Sequence, residues 1–384
     1  MKVVIAIDSF KGSVSSREAG EAAARGVRAA AHDADVRVFS LADGGEGTTD
    51  ALLAASGGRR VTLTVSGPLG TPVSADYAIL SDGTAVIEVA AAAGLTLVPQ
   101  SARDPMRADT YGVGQMIAHA IESGARRFII GLGGSATNDG GVGMLSALGF
   151  RFLDTTGKEI PRGARGLVAL SEICSDAVTP ALSECEFLVA CDVDNPLCGA
   201  RGASVVYGPQ KGASPDDVAK LDRLLSHYAA LTQKACGTAY ADTAGAGAAG
   251  GLGFAFLSYL NAHLASGIDL VIAQANLEKE LADADLILTG EGRLDGQSAM
   301  GKAPVGVAKA AKKYGRPVVA LAGSVTSDAR QCHEAGIDAF FPILANPCSL
   351  AEAMDAKTAC ENIERTAEEI VRVFSLRSPS PFEN

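Results

Sequence analysis

Seven acidic residues and two lysines stand in short polar segments of this 384-residue chain: Asp8, Asp43, Glu46, Asp139, Asp192, Glu291 and Asp295, with Lys11 and Lys302. Most have glycine, serine or threonine close by, as in Asp8-Ser-Phe-Lys-Gly-Ser13, Asp43-Gly-Gly-Glu-Gly-Thr48 and Thr289-Gly-Glu-Gly-Arg-Leu-Asp295. That inventory suits phosphoryl transfer, which needs carboxylates around a metal ion, donors that cradle phosphates, and a carboxylate that accepts the proton of the attacking hydroxyl. Turn or capping chemistry explains any one of these acids, but the set is larger than turns require. The five histidines, His32, His119, His227, His263 and His333, fall on or near expected helices, away from these segments. Histidine acid–base chemistry is therefore not expected, and no G-x-S-x-G or H-E-x-x-H string is present.

The elements that must position these groups alternate between strand and helix. Val3 to Ile7 is a continuous apolar, mostly β-branched run, as a buried parallel strand should be. Ser15 and Glu18 form a capping-box pattern that opens an Ala-rich helix to about Ala31. A strand follows at Val36–Leu41, then a short helix from Thr49 to Ser56. The rhythm returns at the other end of the chain: a strand at Asp285–Thr289, a helix opened by Pro304, a strand at Val318–Ala322, a short strand at Ala339–Ile343, and a helix from about Ser349 to Phe374. The middle reads as antiparallel strands at Arg60–Val65 and within Ala75–Val89, a helix near Gly112–Ser123, and strands at Arg127–Ile130, Gly149–Leu153, Phe187–Ala190 and Ser204–Tyr207. The expected fold is therefore α/β, with a Rossmann-like parallel-sheet domain built from both chain ends (1–58 and 282–375), an inserted mixed α/β domain (59–281) and a flexible tail (376–384). Right-handed crossovers put the loops Asp8–Ser13, Asp43–Thr48, Thr289–Asp295 and Gly323-Ser324 on one sheet edge. With the polar loops of the insert, starting at Gly131 and Cys191, this predicts an interdomain cleft.

A net charge of −11 and a pI of about 5.0 leave no basic patch for nucleic acid. Apolar residues at 47% and charged residues at 20% are ordinary for a globular chain and argue against disorder. The eight cysteines contain no C-x-x-C pair and no zinc spacing, which reads as reduced thiols. The N-terminus turns polar too soon for a signal peptide, and no stretch is apolar for long enough to span a bilayer, so a cytoplasmic location is expected.

Two motifs offer other chemistry. Gly296 to Ala303 nearly matches a Walker A loop, but Ala303 stands where Ser or Thr should bind Mg²⁺. Lys302 still precedes a Pro-led helix start, where anions are favoured. Gly131-x-Gly133-x-x-Ala136 follows a strand, and Asp154 stands 21 positions after Gly133, the pattern of an NAD-linked hydroxy-acid dehydrogenase. Against it, Asn138-Asp139-Gly140-Gly141 interrupts the place where the phosphate-binding helix should run. A non-catalytic sensor of sugar acids is a third reading, but it needs fewer carboxylate loops than are present.

Taken together, Asp8-Ser-Phe-Lys-Gly-Ser, Ala42-Asp-Gly-Gly-Glu-Gly-Thr, Gly133-Gly-Ser-Ala-Thr-Asn-Asp-Gly-Gly, Cys191-Asp-Val-Asp-Asn-Pro-Leu, Gly208-Pro-Gln-Lys-Gly-Ala, Gly245-Ala-Gly-Ala-Ala-Gly-Gly-Leu-Gly and Thr289-Gly-Glu-Gly-Arg-Leu-Asp with Gly301-Lys-Ala-Pro resemble the bacterial glycerate kinase type 1 family, in order and over nearly the whole chain. The resemblance implies ATP- and Mg²⁺-dependent phosphorylation of D-glycerate, and a discontinuous Rossmann-like domain with an insert. The form is similar to the 2-kinase, although the loops leave open 2-phosphoglycerate or 3-phosphoglycerate as product. A homodimer is also left open. From the inventory of carboxylates itself, Asp192 is the expected proton acceptor, with Asp8 as the alternative. Lys11, Ser13, Gly44, Gly45, Gly290, Gly323 and Lys302 are expected around ATP, and Glu291 and Asp295 around the metal. Ser135, Asn138, Asp139, Asp43 and Glu46 are expected around the hydroxy acid. Arg107, Arg162 or Arg293 would meet its carboxylate.

Overall fold

The computed structural model describes residues 1–237 and 240–376; the tail read from the sequence as flexible lies, from 377 on, outside the described residues. The chain forms two compact units, one comprising Met1–Asp43, Asp50–Ala55 and the described part of the chain from Ile268 on, the other Gly44–Thr49 and Ser56–Gly267. The glycine-rich segment after Asp43 and residues 56–58 thus group with the insert, and residues 268–281 with the chain ends.

The first unit holds a five-stranded, all-parallel sheet in the order Ala339–Pro342, Val318–Val325, Leu286–Leu294, Lys2–Ile7, Asp35–Ser40. Val3 to Ile7 are fully buried, as a strand covered on both faces requires. The capping box forms: Ser15 caps the helix Ser16–Ala30, with Glu18 reaching back. That helix packs on Ala356–Ser375 at close range. A Cβ on Gly26 would come within 2.0 Å of the Glu364 carbonyl oxygen, so only glycine permits the approach. Beneath lie Val3, Ile5, Ile7, Val27, Leu288 and Ile363, each worth roughly 1.5–3 kcal/mol when fully buried.

Two expectations change here. The strand expected to end at Thr289 runs to Leu294, because Val318–Val325 continues alongside it, pairing Gly290 with Leu321, Glu291 with Ala322 and Arg293 with Ser324. Glu291, Gly323 and Ser324 therefore sit on strands, not in loops. The single C-terminal helix is two, Leu350–Ala353 and Ala356–Ser375, because Asp355 adopts extended backbone and caps the second by accepting from the Thr358 N–H at 2.9 Å.

The second unit holds a six-stranded sheet in the order His263–Ala265, Glu186–Ala190, Arg127–Gly131, Ala85–Glu88, Pro72–Leu80, Gly58–Ser66. The first four strands are parallel and the last two pairings antiparallel. Arg151–Leu153 pairs with Glu172–Cys174 in a separate two-stranded ribbon. The expected strand at Ser204–Tyr207 is instead part of a helical turn, Ala203–Tyr207, with the Gly208 N–H donating to the Ser204 carbonyl at 3.0 Å. Short apolar runs do not distinguish the two states. Among the described residues, no helix is long and apolar enough to cross a membrane.

Candidate active site

At the carboxyl ends of Lys2–Ile7 and Leu286–Leu294 the first unit opens into a cavity of about 470 Å³, within the range of small-molecule sites. Its polar lining consists of Asp8, Lys11, Ser13, Glu291, Asp295 and Lys302, with Arg293, Gly323 and Ser324 also on the wall. Residues far apart in sequence meet here because parallel strands release their chains at one edge. Lys2–Ile7 ends its ladder opposite Gly290, the Asp8 N–H donates to the Gly290 carbonyl at 2.9 Å, and the chain then turns away through Lys11 and Ser13.

Asp8 is 6% exposed and accepts from the Ser9 N–H at 2.7 Å. Burial, reinforced by the negative charges of Asp43 and Glu291, raises its pKa to about 7 against the opposing pull of the Ser9 N–H and Lys11. Glu291 is 8% exposed and is also raised, chiefly by burial. Its Oε1 and the buried Oγ of Ser13 find no hydrogen-bond partner among the described residues. Buried polar atoms without partners are rare in folded chains, and both of these belong to residues of the cavity wall. Asp295 accepts from the Gln297 N–H at 2.9 Å and the Ser298 N–H at 3.2 Å, and stands 4.0 Å from Lys302 Nζ and 3.4 Å from Arg293 Nε. Lys302 itself is the residue preceding the helix Ala303–Lys312.

The remaining expected residues lie elsewhere. Asp43 is half-buried in the first unit and pairs with Lys11. Gly290 is closed within the sheet, where a Cβ would stand 2.2 Å from the Leu321 carbonyl oxygen. In the second unit, Gly44 packs against Ala190, Gly45 follows it, and Glu46 is exposed. Ser135 is 5% exposed and accepts from Lys211 Nζ at 3.0 Å. Asn138 is fully buried and donates to Ser204 Oγ at 2.9 Å. Asp139 is fully buried and accepts four bonds, from the backbone N–H groups of Thr110, Gly141 and Gly143 and from the Thr110 hydroxyl, at 2.9–3.1 Å. Its carboxylate is consumed in joining two helix starts. Asp192 is exposed and accepts from the Gly267 N–H at 3.0 Å. Among the three arginines, Arg293 lines the cavity, Arg162 lies over the Tyr111 ring at 4.6 Å, and Arg107 is on the surface of the second unit.

Two features were not legible in the sequence. Lys211 is 2% exposed, and its Nζ donates to the Thr137 carbonyl at 2.6 Å; burial lowers its pKa to about 7. Leu344, Leu350 and Met354 form part of the cavity wall. The dehydrogenase pattern also fails locally. After Gly133 the chain reaches its next helix only at Val142, and Asp154 is spent on its own turn, accepting from the Thr156 N–H at 2.8 Å. No group of three or more His, Cys, Asp or Glu residues among the described residues could hold a metal ion by itself.

Comparison with known proteins supports the same chemistry. Residues 3–375 match the model of the glycerate kinase family. The chain is 49% identical to glycerate kinase of Bacillus subtilis and 47% identical to glycerate 2-kinase of Escherichia coli, covering 98% of each chain in both cases. A crystal structure provisionally assigned as glycerate kinase 2 of Salmonella typhimurium LT2 superposes with a TM-score of 0.89 at 45% identity, over 98% of each chain. The chain belongs to the glycerate kinase family.

Proposed function

We propose that this enzyme transfers the terminal phosphoryl group of ATP to a hydroxyl of D-glycerate, giving 2-phosphoglycerate. The observation that carries this reading is the pairing, on one cavity wall, of two partnerless polar atoms, Ser13 Oγ and Glu291 Oε1, with the cations Lys11 and Lys302. A polyphosphate that carries a cation supplies what each lacks: an acceptor for the hydroxyl, a cation for the carboxylate oxygen and negative charge for the ammonium groups. Position 2 as the acceptor is favoured by the Escherichia coli relative, a glycerate 2-kinase. In this reading the reaction takes place in the cytoplasm.

The donor set fits a Mg²⁺ that arrives with ATP, since that ion usually takes one or two protein carboxylates and completes its shell with phosphate oxygens and water. Glu291, with one buried oxygen unpartnered, and Asp295 would hold it. Bound there, the ion would neutralise charge on the transferring phosphate.

Asp8 is the proton acceptor in this reading, ahead of Asp192, because it lines the cavity and is raised to about 7, where a general base works best near neutral pH. The glycerate oxygen attacks the terminal phosphorus, the bond to the bridging oxygen of ADP breaks, and the hydroxyl proton passes to Asp8. Lys11 and Lys302 stabilise the spreading negative charge, and in this reading Arg293, 66% exposed on the cavity wall, meets the substrate carboxylate. A coupled ADP-release assay with D- and L-glycerate, with phosphorus NMR of the product, tests the proposal. ATP consumption that depends on D-glycerate and yields the 2-phosphate is expected. Glycerate-independent hydrolysis, or no consumption, would refute it.

A further inference from the structure

The cavity wall also carries a chemically different set of residues, Ile343, Leu344, Leu350, Ala353 and Met354. Leu350, Ala353 and Met354 fall at spacings of three and four along the short helix Leu350–Ala353 and its C-cap, so they share a face. That face is not buried core: Leu350 is 75% exposed, and Leu344 and Met354 are each 38% exposed. The Met354 side chain also reaches the turn after Phe10. A Cβ on Gly12 would stand 2.9 Å from its terminal methyl carbon, so the thioether arm lies against the turn that carries Lys11 and Ser13.

We infer that this wall is the seat of the nucleotide's purine base, with Leu350 and Met354 as its principal contacts. The inference rests on the ATP reading above. Three exposed apolar side chains on the wall of a cavity that is also lined by Lys11 and Lys302 match a ligand with an anionic tail and a flat apolar head. A purine ring covers apolar surface that would otherwise face water, and an unbranched methionine conforms to a planar partner. Glycerate, small and polar throughout, has nothing to offer this wall. Recognition by apolar area also implies that purine nucleotides bind better than pyrimidine nucleotides, which cover less of it.

The test uses the full-length chain and binding rather than turnover. Titration calorimetry would measure ADP, CDP and inorganic tripolyphosphate on the wild type, Leu350→Ser and Met354→Ser, with Val373→Ser as a control on an exposed apolar residue outside the cavity lining (64% exposed). The inference expects ADP to bind at least tenfold more weakly to each wall variant, tripolyphosphate to be unaffected, CDP to bind more weakly than ADP to the wild type, and Val373→Ser to behave as wild type. It is overturned if ADP binds the wall variants as it binds the wild type, if tripolyphosphate weakens in parallel with ADP, or if Val373→Ser weakens ADP equally. Failure of the wild type to phosphorylate glycerate would strike the kinase reading instead, because ADP binding is read without turnover.

Discussion

The Lys11 ammonium stands 3.2 Å from a carboxylate oxygen of Asp43, yet the lysine side chain is 71% exposed. An ion pair so open to water contributes little to stability, about 0–1 kcal/mol. The lysine is thus held near the cavity without being committed to the fold, as suits a group that must swing onto a phosphate. Lys11→Ala is expected to leave the urea midpoint nearly unchanged while lowering kcat/KM for ATP by roughly 10²-fold. A large fall in the midpoint, with kinetics intact, would make the pair structural.

Asp8 should impose a pH dependence on turnover. Its carboxyl is raised to about 7, first by burial and then by Asp43, so the basic form is lost as pH falls through neutrality. The acid limb of kcat/KM is expected near pH 7, and Asp8→Asn should lose roughly 10²–10⁴-fold in kcat. Stability moves the opposite way. A carboxylate with a raised pKa binds its proton more tightly folded than unfolded, so its contribution falls as pH rises from about 4 to about 7. Above that window Asp8→Asn should be more stable than the wild type by thermal unfolding. A variant both inactive and less stable at pH 8 would contradict the assignment.

Glu291 offers a separate test of the metal. If its partnerless Oε1 serves Mg²⁺, Glu291→Gln should need about tenfold more Mg²⁺ for half-maximal activity while remaining folded. An unchanged Mg²⁺ dependence would remove Glu291 from that role.

What the sequence revealed and what it hid follow from how local each signal is. The Val3–Ile7 strand and the Ser15–Glu18 cap depend on neighbouring residues, and both form as expected. Glu291 falls in an expected loop because the apolar strand signal ends at Thr289. Only the continuing partner strand Val318–Val325 reveals that Gly290 serves close packing instead. Asp139 looked like a ligand-binding acid, since residue type does not say whether a carboxylate faces outward or, as here, accepts four internal bonds. The exposure of Leu350 and Met354 is set by tertiary placement, as is the burial of Lys211.

Asp139 should prove a keystone of the second unit. Asp139→Ala leaves the N–H groups of Thr110, Gly141 and Gly143 and the Thr110 hydroxyl without their acceptor, and buried donors so stranded cost about 1–3 kcal/mol each before relaxation. Urea unfolding is expected to show a loss of at least about 3 kcal/mol, with Asp139→Asn intermediate. An unaltered midpoint combined with a raised KM for glycerate would return Asp139 to the substrate.

Lys211 makes the last prediction, and its sign is fixed by burial. Its pKa falls to about 7 in the folded chain, against 10.5 unfolded, because an ammonium enclosed there loses its water and only Asp139 opposes the shift. Between those values the unfolded chain holds more protons, so stability should rise with pH across the interval, by up to about 1.4 kcal/mol per unit. Lys211→Met abolishes this slope while also stripping Ser135 Oγ and the Thr137 carbonyl of their donor. The difference in unfolding free energy between wild type and Lys211→Met should therefore shift in favour of the wild type from pH 7 to pH 10. A difference that stays flat over that range would mean that Lys211 keeps its charge inside the fold.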